Sequence, residues 1–456
     1  AKATGRYGAG IGGGCGEIPK DTLIGGNGTV TISGGTITEA SGGYMAAGIG
    51  SGLQGLGTVT IEGDAVIKNA QGGEAGAGIG SGTRGNSEII IRGDAVIENA
   101  ESSANGAGIG SGQGDLNYDY DIEETIIDKT VGNVTIEGNA KIENAKSGSG
   151  GSGIGGGTLG IGNVIIRGNA QIGKATGGDE GAGIGGGALG TGNVTIEGNV
   201  TIENAQGGAG AAGIGGGAET QPDTEDTRNK VSIKSTEAGS PNITATGGGV
   251  LNDEKYPLAG AAAIGSGSVA DGATEVKSDI TIEGKVTIDA TGGGDVAIGD
   301  STNGETQFSG LQVGTTITRR NAKGDDVSQP GDVVREPEKP EPEKPEPEKP
   351  AQPTVTPTGA EAAEAPSTGS VEVERPVTVE GLYVTNVLGK QITHTCTQNG
   401  TTLTIRANGI VTSAHLTLGM VRALKAQGVK TLVFTTLLSR STTVSVDALL
   451  AAEPDA

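Results

Sequence analysis

Oxygen-bearing side chains recur at every second position from Asp115 through Asn117, Asp119 and Asp121 to Glu123, interleaved with Tyr118 and Tyr120. Carboxylate and amide oxygens are the ligands that a hard cation such as Ca²⁺ takes. Tyrosine adds a flat ring with a polar tip, on which a sugar can stack. The segment is therefore the candidate for both chemistries: Asp115, Asn117, Asp119, Asp121 and Glu123 for Ca²⁺, and Tyr118 and Tyr120 for a ligand such as a glycan. An EF-hand loop needs Gly at its sixth position and Glu at its twelfth. Counted from Asp115 those places hold Tyr120 and Ile126, so the EF-hand is excluded and a solvated acidic loop stands as the alternative.

Other reactive residues are few. The chain has two histidines, His394 and His415, and two cysteines, Cys15 and Cys396. His394 and Cys396 share one face if the segment is a strand, but two ligands are too few for a structural metal site. The cysteines lie too far apart in sequence for a disulfide framework. Arg92-Gly93-Asp94 spells an adhesion tripeptide, yet its equivalents Glu62-Gly63-Asp64, Glu137-Gly138-Asn139 and Arg167-Gly168-Asn169 mark it as a repeated turn. Ala365-Pro366-Ser367-Thr368-Gly369 resembles part of a sorting signal but has no apolar segment behind it. No catalytic residue is expected.

The element that must position any site is a repeat. A glycine-caged isoleucine returns at Ile11, Ile49, Ile79, Ile109, Ile154, Ile184, Ile214, Ile264 and Ile298, at intervals of 38, 30, 30, 45, 30, 30, 50 and 34 residues. A fixed period of this size marks a solenoid, in which each unit buries its apolar face by stacking on its neighbours. The longer gaps are insertions into a 30-residue unit, with loops at 16–24, 115–129, 218–230 and 248–258 able to widen a surface patch. The composition agrees: 89 Gly, no Trp and two Phe leave only thin layers of Ile, Val, Leu and Ala for a core.

Aligned on the glycine box, each unit adds a Val-Thr-Ile segment (Ile32, Ile61, Ile91, Ile136, Ile166, Ile196, Ile233, Ile282) and an Ile-centred segment ending in Asn-Ala (Ile37, Ile67, Ile97, Ile142, Ile172, Ile202, Ile243, Ile288). Three short strands per unit predict a three-faced coil, nine coils at about 4.8 Å each making a rod of about 40 Å. The outward column Ser33, Glu62, Arg92, Glu137, Arg167, Glu197, Lys234, Glu283 alternates in sign after the serine. Parallel strands in register explain this, because like charges directly adjacent are unfavourable. Asn69, Asn99, Asn144 and Asn204 form another column, either an amide ladder or turn residues tolerant of left-handed backbone. The end around Phe308 to Ile317 is expected to cap the stack.

Gly-Ala-Gly-Ile-Gly-Gly-Gly, Asn-Val-Thr-Ile-Glu-Gly-Asn and Ile-Glu-Asn-Ala resemble the repetitive cell-surface β-helix proteins of anaerobic, gut-type Gram-positive bacteria. More distantly they resemble non-catalytic carbohydrate-binding proteins with a pectate-lyase-like fold. The resemblance covers residues 1 to about 320. It implies a right-handed parallel β-helix and transfers no binding residue.

The chain divides into an all-β, right-handed parallel β-helix (1–325), a Pro/Glu/Lys-rich extended linker (326–370) and a small α+β domain (371–456). Repeated Glu-Pro-Glu-Lys-Pro favours polyproline II, a stalk rather than a domain. In the last domain Val371–Asn386, Gln391–Thr397, Thr402–Ala407, 431–436 and 442–446 read as strands, with Asn399-Gly400 a hairpin turn. Residues 413–427 read as a helix capped by Ser413 and stopped by Gly428. The opening Ala1-Lys2-Ala3-Thr4-Gly5 resembles Ala175-Thr176-Gly177, so the chain reads as a piece of a longer protein.

The formal net charge is −23, while residues 371–456 carry seven Lys/Arg against six Asp/Glu, so the excess lies upstream. An acidic body repels phosphate backbones, which excludes nucleic acid as a partner. No apolar run is long enough to span a membrane. These features lead us to expect a non-enzymatic, secreted or cell-surface module that binds a glycan or a host or cell-surface component. A polysaccharide lyase or hydrolase is the alternative, though the outward charges alternate instead of clustering. Ice binding through Thr31, Thr60, Thr135, Thr195 and Thr281 is disfavoured, because Ile90, Ile165 and Ser232 break the array.

Overall fold

The structure is a computed structural model describing residues 1–14, 26–119, 124–218, 228–250, 259–268, 276–300, 307–329, 331–334, 375–377, 379, 382–386, 391–407, 412–435 and 441–446. It divides into two units, Ala1–Glu341 and Pro342–Ala456. Of the expected linker (326–370), residues 335–370 lie outside the described residues.

The first unit is a right-handed parallel β-helix of nine coils, numbered here by their box isoleucines from Ile11 to Ile298. Three long parallel sheets run its length. The box sheet is built from nine two-residue Ile-Gly strands, isoleucine over isoleucine at each step, as in Ile79 between Ile49 and Ile109. The Val-Thr-Ile sheet stacks strands such as Gly57–Ile61, Ser87–Ile91 and Thr130–Ile136 in strict register. The third sheet, represented by Val96–Ser102 and Lys141–Ser147, carries Ile97 over Ile142 and Ala100 over Ala145.

Alternation along the strands decides what is inside. Val59, Ile61, Ile89 and Ile91 are buried, while Thr60 and Glu62 face outward. Ile37, Ile67 and their equivalents meet an alanine column (Ala40, Ala70, Ala100, Ala145, Ala175, Ala205, Ala245, Ala290) that lets the opposing isoleucines close the core. The core is one continuous cluster, as expected when every coil buries its apolar surface against two others.

The three expected faces are present as sheets, but the box sheet is covered instead of facing solvent. Residues 46–53 of coil two and 77–83 of coil three are buried throughout, because the two corners flanking the box fold over it. The Thr83 N–H donates to the Met45 carbonyl (2.9 Å), Gln113 N–H to Ala75 (2.9 Å) and Thr158 N–H to Asn105 (2.8 Å), stitching the corner after one box to the corner before the preceding one. Glycine is required under this roof. Gly80 has φ +139, and a Cβ there would lie 1.8 Å from the Gly110 carbonyl oxygen.

Serines where the box reads Gly-Ser-Gly cross-link the roof. Ser51 and Ser81 donate their hydroxyls to the Gly55 and Gly85 carbonyls (2.7 and 2.6 Å) and accept from the Gly82 and Gly112 N–H of the next coil (3.2 and 3.0 Å).

On the open Val-Thr-Ile face the charge ladder is grouped in pairs. Arg92 Nε and Nη2 reach Glu62 at 2.8 and 2.6 Å, Arg167 reaches Glu137 at 2.8 and 2.5 Å, and Lys234 lies 3.4 Å from Glu197. The Arg92 guanidinium, with a smaller contribution from the Ser33 hydroxyl, holds the Glu62 carboxyl below its usual range. Amide ladders exist, but chiefly in columns other than the one expected. Asn193, Asn163 and Asn133 donate in turn to Asn163, Asn133 and Glu88 (2.9, 2.8 and 2.8 Å), and Asn199, Asn169 and Asn139 to Asn169, Asn139 and Asp94 (3.2, 3.0 and 2.9 Å). In the expected column Asn144 bonds Asn99 (3.3 Å), while Lys174 separates Asn144 from Asn204.

The stack is closed by a buried ion pair. The alanine column ends where Arg319 takes the place above Ala290. Arg319 is 2% exposed; its Nε and Nη2 meet Asp332 at 2.9 and 3.0 Å, and its guanidinium lies 5.5 Å from the Phe308 ring centre. Phe308 replaces isoleucine over Ile282. The cap is thus larger than the expected Phe308–Ile317: Val334 N–H bonds Thr315 O (3.1 Å), so packed chain runs past residue 325.

In the second unit, five strands (Arg375–Pro376, His394–Asn399, Thr402–Ala407, Thr431–Thr435, Ser441–Ser445) form one sheet, and Gln391–Ile392, Tyr383–Asn386 and Thr412–His415 another. The Asn399-Gly400 turn is present, with Gly400 at φ 56 and Asn399 opposite Thr402. The helix is Leu418–Ala426, shorter than expected. Ser413 pairs in a strand with Thr385, so Thr417 caps instead, its Oγ1 accepting from Met420 N–H at 3.3 Å.

Breaking a buried ion pair by removing one partner costs about 3–5 kcal/mol, whereas replacing both by apolar residues is often neutral. Asp332→Ala is therefore expected to lower the unfolding free energy of the helix, read from urea denaturation, by an amount in that range, and Arg319→Met with Asp332→Leu to recover most of it. Because Glu62 titrates low in the folded chain, its contribution is present above the usual carboxylate range and lost as pH falls through its lowered value. Arg92→Gln should return Glu62 to the ordinary glutamate range, as read by side-chain carboxyl NMR titration.

Candidate functional site

In coils two, three, five and six the corner after the box is a four-residue turn closed by Gly55 N–H to Gly52 O (3.2 Å), Gly85 to Gly82 (3.0 Å), Gly160 to Gly157 (2.7 Å) and Gly190 to Gly187 (2.9 Å). Its third residue has positive φ in every case: Gln54 (57°), Arg84 (57°), Leu159 (61°) and Leu189 (59°). Left-handed backbone is unfavourable for residues with a Cβ by about 1–2 kcal/mol. The stacked turns bear it through bonds along the column, Gln54 N–H to Thr83 O and Arg84 N–H to Gln113 O, both 2.7 Å.

In coil four this turn opens into a hairpin. Gly114 takes the third place, and the chain runs out as Asp115–Asp119 and back as Glu124–Asp128, antiparallel, with Asp115 opposite Asp128 and Asp119 opposite Glu124. Directly opposed like charges destabilise a strand pair. Arg84 of coil three answers this by forming an ion pair with Asp115. Burial lowers the pKa of Lys129 at the hairpin's exit.

Beside the hairpin base the roof over coils two to four encloses a cavity of about 250 Å³. Corner residues before the box (Tyr44, Met45, Glu74, Ala75, Asn105) form one wall, and those after it (Leu53, Thr83, Arg84, Gln113, Gly114, Asp115) the other. Tyr44 is 58% exposed at the rim, and Leu53 and Ala75 are buried. Thr83 is also buried, and its Oγ1 has no hydrogen-bond partner among the described residues. At the matching places coils five to seven carry Ser149, Gly150, Thr158 and Leu159, then Asp179, Glu180, Ala188 and Leu189, then Ala209, Gly210 and Ala218, so the corner after the box turns to Leu and Ala while coil six keeps two carboxylates before it.

Of the residues singled out from sequence, Asp115 lines this cavity. Asn117, Tyr118 and Asp119 lie on the outgoing hairpin strand. Tyr120, Asp121 and Glu123 lie outside the described residues, as do most of the loops at 16–24, 218–230 and 248–258. Among the described residues no group of three or more His, Cys, Asp or Glu is arranged to hold a metal ion. Arg92 of the Arg-Gly-Asp tripeptide is tied to Glu62, and Gly93 sits in the turn with φ 75. In the second unit burial raises the Cys396 thiol pKa, and His415 stacks on Tyr383 at 4.5 Å with Nε2 2.8 Å from Thr385 Oγ1.

Sequence reasoning missed Tyr44, Glu74, Arg84, Asn105 and Gln113. The signal was present in the columns four and five places after the box isoleucine, where Thr83, Arg84 and Gln113 give way to Leu159, Ala188 and Leu189 further along.

The family model of the beta helix repeat matches residues 30–53, which span one Val-Thr-Ile strand, the Ile37-Thr38-Glu39-Ala40 segment and one box. No curated protein and no solved structure matches the chain.

Removing the Arg84 cation leaves Asp115 facing Asp128 uncompensated. Arg84→Ala should speed amide hydrogen exchange across Asp115–Asp119 and Glu124–Asp128, and adding Asp128→Asn should slow it again.

Proposed function

We propose that this protein is a non-enzymatic bacterial β-helix module, secreted or displayed at the cell surface, that acts in adhesion or carbohydrate binding. The roof cavity over coils two to four, with the adjoining hairpin, is its binding surface. One observation carries the reading. Hydrogen-bonding side chains of both polarities, an exposed tyrosine and an apolar floor of Met45, Leu53 and Ala75 converge on one concave site over coils two to four. Binding sites for small molecules likewise combine apolar lining with placed polar groups.

The partner is a glycan, free or on a host or neighbouring cell, and not a nucleic acid, since the body is acidic. The Glu/Lys/Pro composition of 335–370 suits a spacer that sets such a module away from its attachment. Catalysis on a β-helix is the competing reading, and a glycosidase needs two carboxylates flanking the scissile bond. The cavity holds two carboxylates, Glu74 and Asp115, but Arg84 neutralises Asp115, which favours binding over hydrolysis.

Incubating the protein with a panel of immobilised polysaccharides separates the two. Retention is expected without release of reducing or unsaturated ends; release of either overturns the binding-module reading in favour of a lyase or hydrolase.

A further inference from the structure

Resting on that reading, we infer that the cavity over coils two to four takes a single uncharged, N-acetylated sugar residue and discriminates against uronic acids. Three charged groups line it: Arg84 and Asp115 cancel as an ion pair, and Glu74 leaves one net negative charge. A carboxylate-bearing sugar would bring like charge into a concave, partly desolvated site, where Coulomb repulsion is weakly screened. The acidic balance of the whole chain adds to this.

The remaining groups suit an acetamido substituent. Asn105 and Gln113 stand on the two walls, and primary amides both donate and accept, as an acetamido N–H and C=O require. Asn105 Oδ1 already accepts from Gly150 N–H at 3.4 Å, so its N–H groups are what it offers to a carbonyl. Met45, Leu53 and Ala75 give the methyl group an apolar contact. Thr83 adds a buried hydroxyl with no partner among the described residues. At the rim the Tyr44 ring is a platform for the C–H face of a pyranose, its hydroxyl remaining in water.

Size limits the occupant to about one ring. The volume of about 250 Å³ lies below the roughly 300–1,000 Å³ that drug-sized ligands occupy. The site therefore holds a chain end or a branch, not a long stretch of polysaccharide.

The test is calorimetric titration of the full chain with tri-N-acetylglucosamine, cellotriose and trigalacturonate, alongside the polysaccharide retention panel. We expect tri-N-acetylglucosamine to bind, cellotriose to bind at least about tenfold more weakly and trigalacturonate more weakly still. Tyr44→Ala, at an exposed position, should weaken tri-N-acetylglucosamine binding at least about tenfold, with the distant Arg92→Gln unchanged. Equal or tighter Tyr44-dependent binding of cellotriose or trigalacturonate overturns the ligand class and leaves glycan binding standing. Binding of tri-N-acetylglucosamine that ignores Tyr44→Ala overturns the site. Retention on polysaccharides with no trisaccharide binding overturns the inference alone, and no retention on any polysaccharide overturns the glycan reading with it.

Discussion

At Gly50, Gly80, Gly110, Gly155, Gly185, Gly215 and Gly265 a Cβ would lie 1.8–2.1 Å from the carbonyl oxygen of the glycine in the next coil. All seven have φ between 132° and 146°. Backbone therefore lies against backbone along the whole box sheet, and only glycine permits both the dihedral and the approach. The rest of the helix follows from this contact. A box strand without side chains is thin enough for its two flanking corners to close over it, so one sheet becomes an interior wall and the isoleucines beneath it are sealed from water. The other two sheets are left as the helix's open faces, and the stacked charge and amide ladders run along them.

Those open faces are governed by the about 4.8 Å spacing of parallel strands, which brings identical positions of successive coils into contact. A column of one charge would be repulsive, and the Val-Thr-Ile face avoids this with Glu/Arg pairs beside amide ladders. Exposed pairs of this kind contribute little to stability individually. Their effect is on register: a slip by one coil would set Glu62 against Glu137. The interior has a different problem at its end, where an alanine column would present open core to water. Arg319 and Asp332 fill that place with a neutralised pair under the Phe308 ring.

Features that repeat were legible in the sequence, because a period exposes whatever physics acts between equivalent positions. The isoleucine columns, their register and the sign-alternating ladder all belong to that class. Asn163 and Asn169 are instructive exceptions, since both lie in amide ladders, although the sequence marks Arg167-Gly168-Asn169 only as a repeated turn. The burial of the box was not legible either, since closure of the roof depends on hydrogen bonds such as Thr83 to Met45 between corners of different coils. Ser413 failed as a helix cap for the same reason: its strand partner Thr385 is 28 residues away. Arg84 could be seen as a charge but not as the partner of Asp115, which the insertion of the hairpin creates.

The position of the candidate site follows from where this scaffold tolerates individuality. An isoleucine column cannot change at one coil without opening a cavity or a clash against both neighbours. A residue at the left-handed corner is held by its backbone, by the 2.7 Å bond from Arg84 N–H to Gln113 O for example, and its side chain takes no part in the core. Gln54, Arg84, Leu159 and Leu189 differ widely there while their φ values stay within 57–61°. Corner residues can therefore vary from coil to coil without disturbing the stack, and coils two to four have used that freedom to gather polar groups around a cavity. Binding chemistry on a helix of this kind is expected in the roof, where glycine has already made the fold secure and left the neighbouring positions free to differ.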